Sequence, residues 1–160
     1  MRRMKRSGRK TEILVTVTAA VLLGAVLLLP ILRETGMAMD DVMEIITAVG
    51  NHEEQSGFIS SAVSAALALG DKSDAHKTRV RGGKPDLNDI HDRVNYSVTK
   101  SELKINEAHT LIKLKLTVDT HFGSVMDYFE IFMQRMILCR KAAEKLGLQF
   151  KLIINEQQLI

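Results

Sequence analysis

ILVTVTAAVLLGAVLLLPIL, residues 13–32, holds no charged side chain, and only Thr16 and Thr18 are polar. About 20 apolar residues in a helix cross the roughly 30 Å of bilayer hydrocarbon. A threonine hydroxyl on such a helix bonds back to the preceding turn. The stretch therefore predicts a single transmembrane helix over 13–33. Arg2, Arg3, Lys5, Arg6, Arg9 and Lys10 precede it, whereas Arg33 and Glu34 nearly cancel on the other side. Basic residues in a short flank stay cytoplasmic. The expected topology is single-pass, with the N-terminus cytoplasmic and the C-terminal domain periplasmic, in a bacterial inner membrane. A cleaved secretory signal is the rival reading. It needs an apolar core of about 7–15 residues and a small-x-small exit, but the exit here is Leu29-Pro30-Ile31-Leu32-Arg33. An uncleaved signal anchor is expected.

The formal charge of +3 misleads, because six of the 22 Lys/Arg lie in the first ten residues with no acid beside them. The rest of the chain sums to 3 − 6 = −3. The basic character reads as a topology signal, aided by attraction to anionic lipid. The large domain carries no comparable basic patch, so nucleic acid is not an expected partner. With a single cysteine, Cys139, no intrachain disulfide can form. That residue lies in an apolar helical stretch and reads as a buried, inert thiol.

The chain divides into five segments. Residues 1–12 form the basic tail, 13–33 the membrane helix, 34–70 a helical stalk, 71–85 a linker and 86–160 a small α+β domain. In the stalk, Val42, Ile45, Ile46 and Val49 make one apolar stripe behind Asp40, Asp41 and Glu44, which favour a helix start. Gly50-Asn51 interrupts it, and an alanine-rich apolar pattern then runs to Gly70. The stripe does not sustain heptads. The linker is polar, with Gly82-Gly83 and Pro85.

Within 86–160 a short helix carries Leu87, Ile90 and Val94. Val94, Tyr96 and Val98 then alternate with polar residues, predicting a strand that extends through Leu103 and Ile105. Ile112, Leu114, Leu116 and Val118 alternate with Lys113, Lys115 and Thr117, a strand with one wet face. A hairpin around Asn106-Glu107-Ala108-His109 joins the two. Ser124 and Asp127 form a capping box opening the longest helix, which ends at Gly147. Leu148 to Ile154 is the last strand. The order α-β-β-α-β implies an α+β sandwich with helices on one face of an antiparallel sheet. Glu102, Lys104, Lys113 and Lys115 share the wet side, either as plain solvated surface or as a face available to a partner domain.

No catalytic, cofactor or metal site emerges. His52-Glu53-Glu54 begins like a zinc-protease motif, but Ser56 stands where the second histidine belongs. Asp89 and Asp92 share a helix face from which His91 diverges. His109 and His121 have no ligand at useful spacing. Arg81-Gly82-Gly83-Lys84 lacks the strand and helix that flank a phosphate loop, and no serine sits in a nucleophile elbow. Met126, Met133 and Met136 on an apolar helix face read as core or contact residues.

This plan resembles the bitopic assembly-platform subunits of type II secretion systems and type IV pili, the M type of the former and the O type of the latter. Chain length agrees with the M type. The segment Asp119-Thr120-His121-Phe122-Gly123-Ser124, followed by Val125-Met126-Asp127-Tyr128-Phe129, is similar to the O-type domain, where a strand leads into a helix opened by a small polar residue. The resemblance implies a ferredoxin-like periplasmic domain and a role in protein transport. The expected function is a non-catalytic scaffold in a secretion or pilus assembly complex, anchored in the lipid bilayer. It would contact other subunits through stalk and domain, as a homo- or heterodimer. Val42, Ile45 and Val49 are the expected stalk contacts. Ile112, Leu114, Phe129, Phe132, Met133 and Met136 are the expected domain core and contacts. The alternatives are an accessory subunit of a membrane energy-conversion complex and a membrane-anchored ligand-binding or sensor module. A ferredoxin-like domain needs a fourth strand, and none is evident after Ile154.

Overall fold

The structure is a computed structural model that describes residues 2–53 and 58–159. The side chains of residues 2–14, 16, 17 and 81 lie outside the described residues. The chain forms two compact units, Met1–Leu67 and Ala68–Ile160.

The first unit is a helical hairpin. Helix α1 runs Arg2–Glu34 and helix α2 runs Met39–Gly50. Between them, the Thr35 hydroxyl donates to the Leu32 carbonyl at 2.6 Å. Gly36 takes φ 76°, a left-handed conformation that suits a residue without Cβ. Asp40 and Asp41 lie in the first turn of α2, where the helix dipole favours acids. Helix α2 returns along α1 until Gly50 comes beside Leu22 and Ala25, where an added Cβ would meet side-chain carbons at 3.7 Å. Ala25, Val42 and Ala48 are buried. Small residues at these positions let the helices approach closely. Helix α3 (Ala62–Ser73) runs across the division between the units.

The membrane span expected over 13–33 is corrected here. Among the described residues no helix is long and apolar enough to cross a membrane. Part of the span, Ile13, Leu14, Thr16 and Val17, has side chains outside the described residues, as has the basic tail. The hairpin supplies a second reason. Helix α2 lies along that run, and Asp40, Asp41 and Glu44 travel with it, whereas acids inside a bilayer are expensive. The signal anchor, the single-pass inner-membrane placement, the cytoplasmic N-terminus and the periplasmic domain all depended on the span, and they fall with it.

The second unit is α+β. After two short 3-10 turns, Lys77–Arg79 and Arg81–Gly83, come α4 (Ile90–Ser97), β1 (Val98–Ile105), β2 (Leu111–Val118), α5 (Val125–Lys145), β3 (Gln149–Ile154) and β4 (Gln157–Gln158). The sheet order is β1-β2-β3-β4. β1 and β2 are antiparallel, β2 and β3 parallel, and β3 and β4 antiparallel. Ile112, Leu114, Leu116, Phe150, Leu152 and Ile154 are buried and alternate with exposed or half-buried residues. They form the sheet face that packs on α5 through Tyr128, Phe132, Met136, Cys139 and Ala143, all buried.

Three local differences from the sequence reading have physical causes. The alternation at Val94, Tyr96 and Val98 belongs to α4 up to Ser97. Asp89 caps that helix by accepting from the His91 N–H at 2.8 Å. Val94 and Ser97, three residues apart, are both buried, so the helical period prevails. A fourth strand does exist: Asn155 and Glu156, at φ 48° and 69°, make the two-residue turn that pairs Ile154 with Gln157. The ferredoxin-like fold is also corrected. Its split β-α-β unit sets another strand between the two parallel strands, whereas β2 and β3 are immediate neighbours joined through α5.

Candidate functional site

An apolar surface on the helical hairpin is the most distinctive feature of the first unit. Leu22, Leu23, Val26, Leu27 and Ile31 recur at three- and four-residue spacing on α1, and each is more than half exposed, at 52 to 62 %. Val15, further toward the start of α1, is exposed to the same degree. On α2, Met39 and Met43 add exposed methionines one helical turn apart. Two helices side by side can cover only their shared face, here Ala25 and Ala48. Burying a whole Leu, Ile or Val side chain yields about 1.5–3 kcal/mol, so covering the exposed half of each yields about 1 kcal/mol. Contiguous apolar surface of this kind marks interaction sites.

Of the expected stalk contacts, Val42 is fully buried and Ile45 and Val49 are half-buried. That stripe is engaged within the chain itself. The exposed set lies mainly on α1, in the stretch whose composition reads as a membrane span. Apolar composition alone does not separate a lipid-facing helix from one that faces other helices.

The residues expected in the second unit separate into two groups. Ile112, Leu114, Phe132 and Met136 are 0–3 % exposed and form the core. Phe129 is half-buried and Met133 is 42 % exposed, on the outer side of α5. The Tyr128 ring meets Phe132 edge-on at 5.0 Å, and its hydroxyl donates to the Met136 sulfur at 3.7 Å. Burial pushes the Tyr128 phenol far above its ordinary value. The Arg135 guanidinium lies over the Phe132 ring at 4.7 Å. Cys139 is fully buried. Ser124 and Asp127 make the reciprocal capping box, with both bonds at 3.0 Å.

The polar candidates stay apart. Glu54 and Ser56 of the His52 motif lie outside the described residues. His121 is nearly fully exposed and pairs with Asp119, whose Oδ1 accepts from the ring at 2.8 Å and from the His121 N–H at 3.0 Å. This contact holds the Asp119 carboxyl below its ordinary value. Among the described residues no group of three His, Cys, Asp or Glu could hold a metal ion.

Two features escaped the linear reading. One is an open cavity of about 380 Å³ lined by Lys77, Thr78, Val80, Gly83 and Tyr96. The 3-10 turns shape it, with Gly82 and Gly83 at φ 73° and 70°, and Tyr96 is held edge-on against Phe122 at 4.8 Å. The Arg81-Gly82-Gly83-Lys84 run therefore borders a concavity without being a phosphate loop. The other is the extent of the lysine face: the sequence sets Glu102, Lys104, Lys113 and Lys115 on one wet side, and the β2–β3 register brings Lys151 beside Lys113. Compared with family models, with curated proteins and with solved structures, the chain matches none.

Proposed function

We propose that this chain is a non-catalytic scaffold subunit that works by self-association through its helical hairpin. The observation that carries this reading is the exposed apolar face of Leu22, Leu23, Val26, Leu27 and Ile31. A second copy is the occupant that suits it. Two hairpins brought face to face make a four-helix bundle, and a two-fold axis lets one patch cover its own copy. The test is the mass of the full chain by light scattering. A dimer supports the reading, and a monomer at every concentration overturns it.

A second reading is a ligand-binding module, favoured by the cavity at Lys77, Thr78 and Tyr96. A small anion that raises the melting temperature of the full chain, and loses this effect in Lys77→Ala, would support it.

A further inference from the structure

Three strands of the second unit set like charges side by side. The register pairs Lys104 with Lys113, and Lys113 with Lys151. The next row pairs Glu102 with Lys115, and Lys115 with Ile153, while Lys100 stands opposite Thr117. These residues alternate with the buried set, so they occupy the face turned away from α5. Neighbouring strands lie about 4.8 Å apart, and alternate residues along a strand about 6.7 Å. Five ammonium groups thus share one small area with a single carboxylate. Glu102 binds Lys100 at 3.3 Å and Lys104 at 3.0 Å. Among the described residues no acid pairs with Lys113, Lys115 or Lys151. Like charges directly opposite one another on a sheet are destabilising. Glu102 offsets part of that penalty at Lys104, but at Lys113 and Lys151 the fold carries it with no acid in return.

We propose that this sheet face docks an extended, carboxylate-rich segment of a partner protein. Lys113 and Lys115 sit two residues apart on β2, which is also the repeat of same-side side chains in an extended chain. A Glu-x-Glu segment lying along β2 therefore meets cation with anion. Ile153, half-buried among the lysines, offers the segment an apolar contact. Two absences from the face decide against nucleic acid. Arginine, whose planar fork grips phosphate through two bonds, does not occur on it, and neither does an aromatic ring on which bases stack.

Fluorescence anisotropy of a labelled octaglutamate peptide with the full chain tests this. Octaglutamate binds, and its affinity falls steeply as salt rises from ~50 to ~200 mM. Changing Lys113→Gln together with Lys151→Gln weakens binding about tenfold, equivalent to about 1.4 kcal/mol, whereas Glu102→Gln tightens it. The double variant melts no lower than wild type, because the like-charge row is relieved, so loss of binding is not loss of fold. The proposal is overturned if octaglutamate fails to bind, or if the lysine and Glu102 substitutions leave binding unchanged, which would assign it to the basic stretch Arg2–Lys10. It is equally overturned if an oligothymidylate binds more tightly than the peptide.

Discussion

Asn155 holds both backbone groups of Val118. Its Oδ1 accepts from the Val118 N–H at 2.8 Å, and its Nδ2 donates to the Val118 carbonyl at 3.0 Å. The Asn155 N–H donates in turn to the Leu116 carbonyl at 3.0 Å. One side chain thus prolongs the parallel β2–β3 ladder past the end of β3, while its own backbone turns at φ 48° toward β4. Asparagine suits both tasks, since it tolerates the left-handed region and mimics a peptide group.

Asn155→Ala removes both bonds and places a Cβ-bearing residue without local hydrogen bonding at positive φ. It is expected to destabilise the unit by about 2 kcal/mol. Asn155→Gly keeps the turn and loses the bonds, and falls between wild type and alanine. Urea unfolding of the three proteins, monitored by circular dichroism, checks the ranking.

Much of the second unit is legible in the sequence because its signals are local. Ser124 and Asp127 sit at capping-box spacing, Ile112 to Val118 alternate cleanly, and Asn106 accepts from the Thr110 and Leu111 N–H groups as a hairpin connection should. The rest depends on long-range pairing. Nothing near Ile154 announces that Asn155 will reach Val118, and nothing near Lys151 announces Lys113 as its neighbour. For the hairpin of α1 and α2, Leu22 to Ile31 and Val42 to Val49 are legible as apolar stripes. Whether lipid or protein faces them is not written in their composition.

Ser124 is the hydroxyl half of the cap on α5. Ser124→Ala leaves the Asp127 N–H unsatisfied and is expected to cost about 1 kcal/mol, whereas Ser124→Asn costs a few tenths. Equilibrium denaturation separates the two.

Phe132 and Met133 are adjacent but differ in surroundings. Phe132, 3 % exposed, packs on Tyr128, and Phe132→Ala should destabilise by about 3–5 kcal/mol. Phe132→Asp should unfold the unit. Met133→Ala on the outer side of α5 should change stability by no more than about 0.5 kcal/mol. Thermal melts of the three variants read this contrast directly.

Acid should weaken the second unit through two carboxylates. Lys104 and Lys100 hold the Glu102 carboxyl below its ordinary 4.5, and His121 holds that of Asp119 below its ordinary 3.8. A carboxylate whose folded-state pKa is depressed stabilises fully above the unfolded value and loses that contribution as pH falls through the folded one. Protonating Glu102 also leaves the lysine face without its only anion. The melting temperature should therefore hold above pH 4.5 and fall below it, and Glu102→Gln should flatten that acid limb. Carbon-detected NMR titration of the two side chains gives the folded pKa values themselves.

The most direct test of the scaffold reading is sedimentation equilibrium of the full chain beside a Leu23→Glu, Leu27→Glu variant. Both side chains are about 60 % exposed, so the substitutions leave the folded monomer intact. Wild type should sediment as a dimer and the variant as a monomer with unchanged helix content. A wild-type monomer, or a variant that remains a dimer, would contradict self-association through this face.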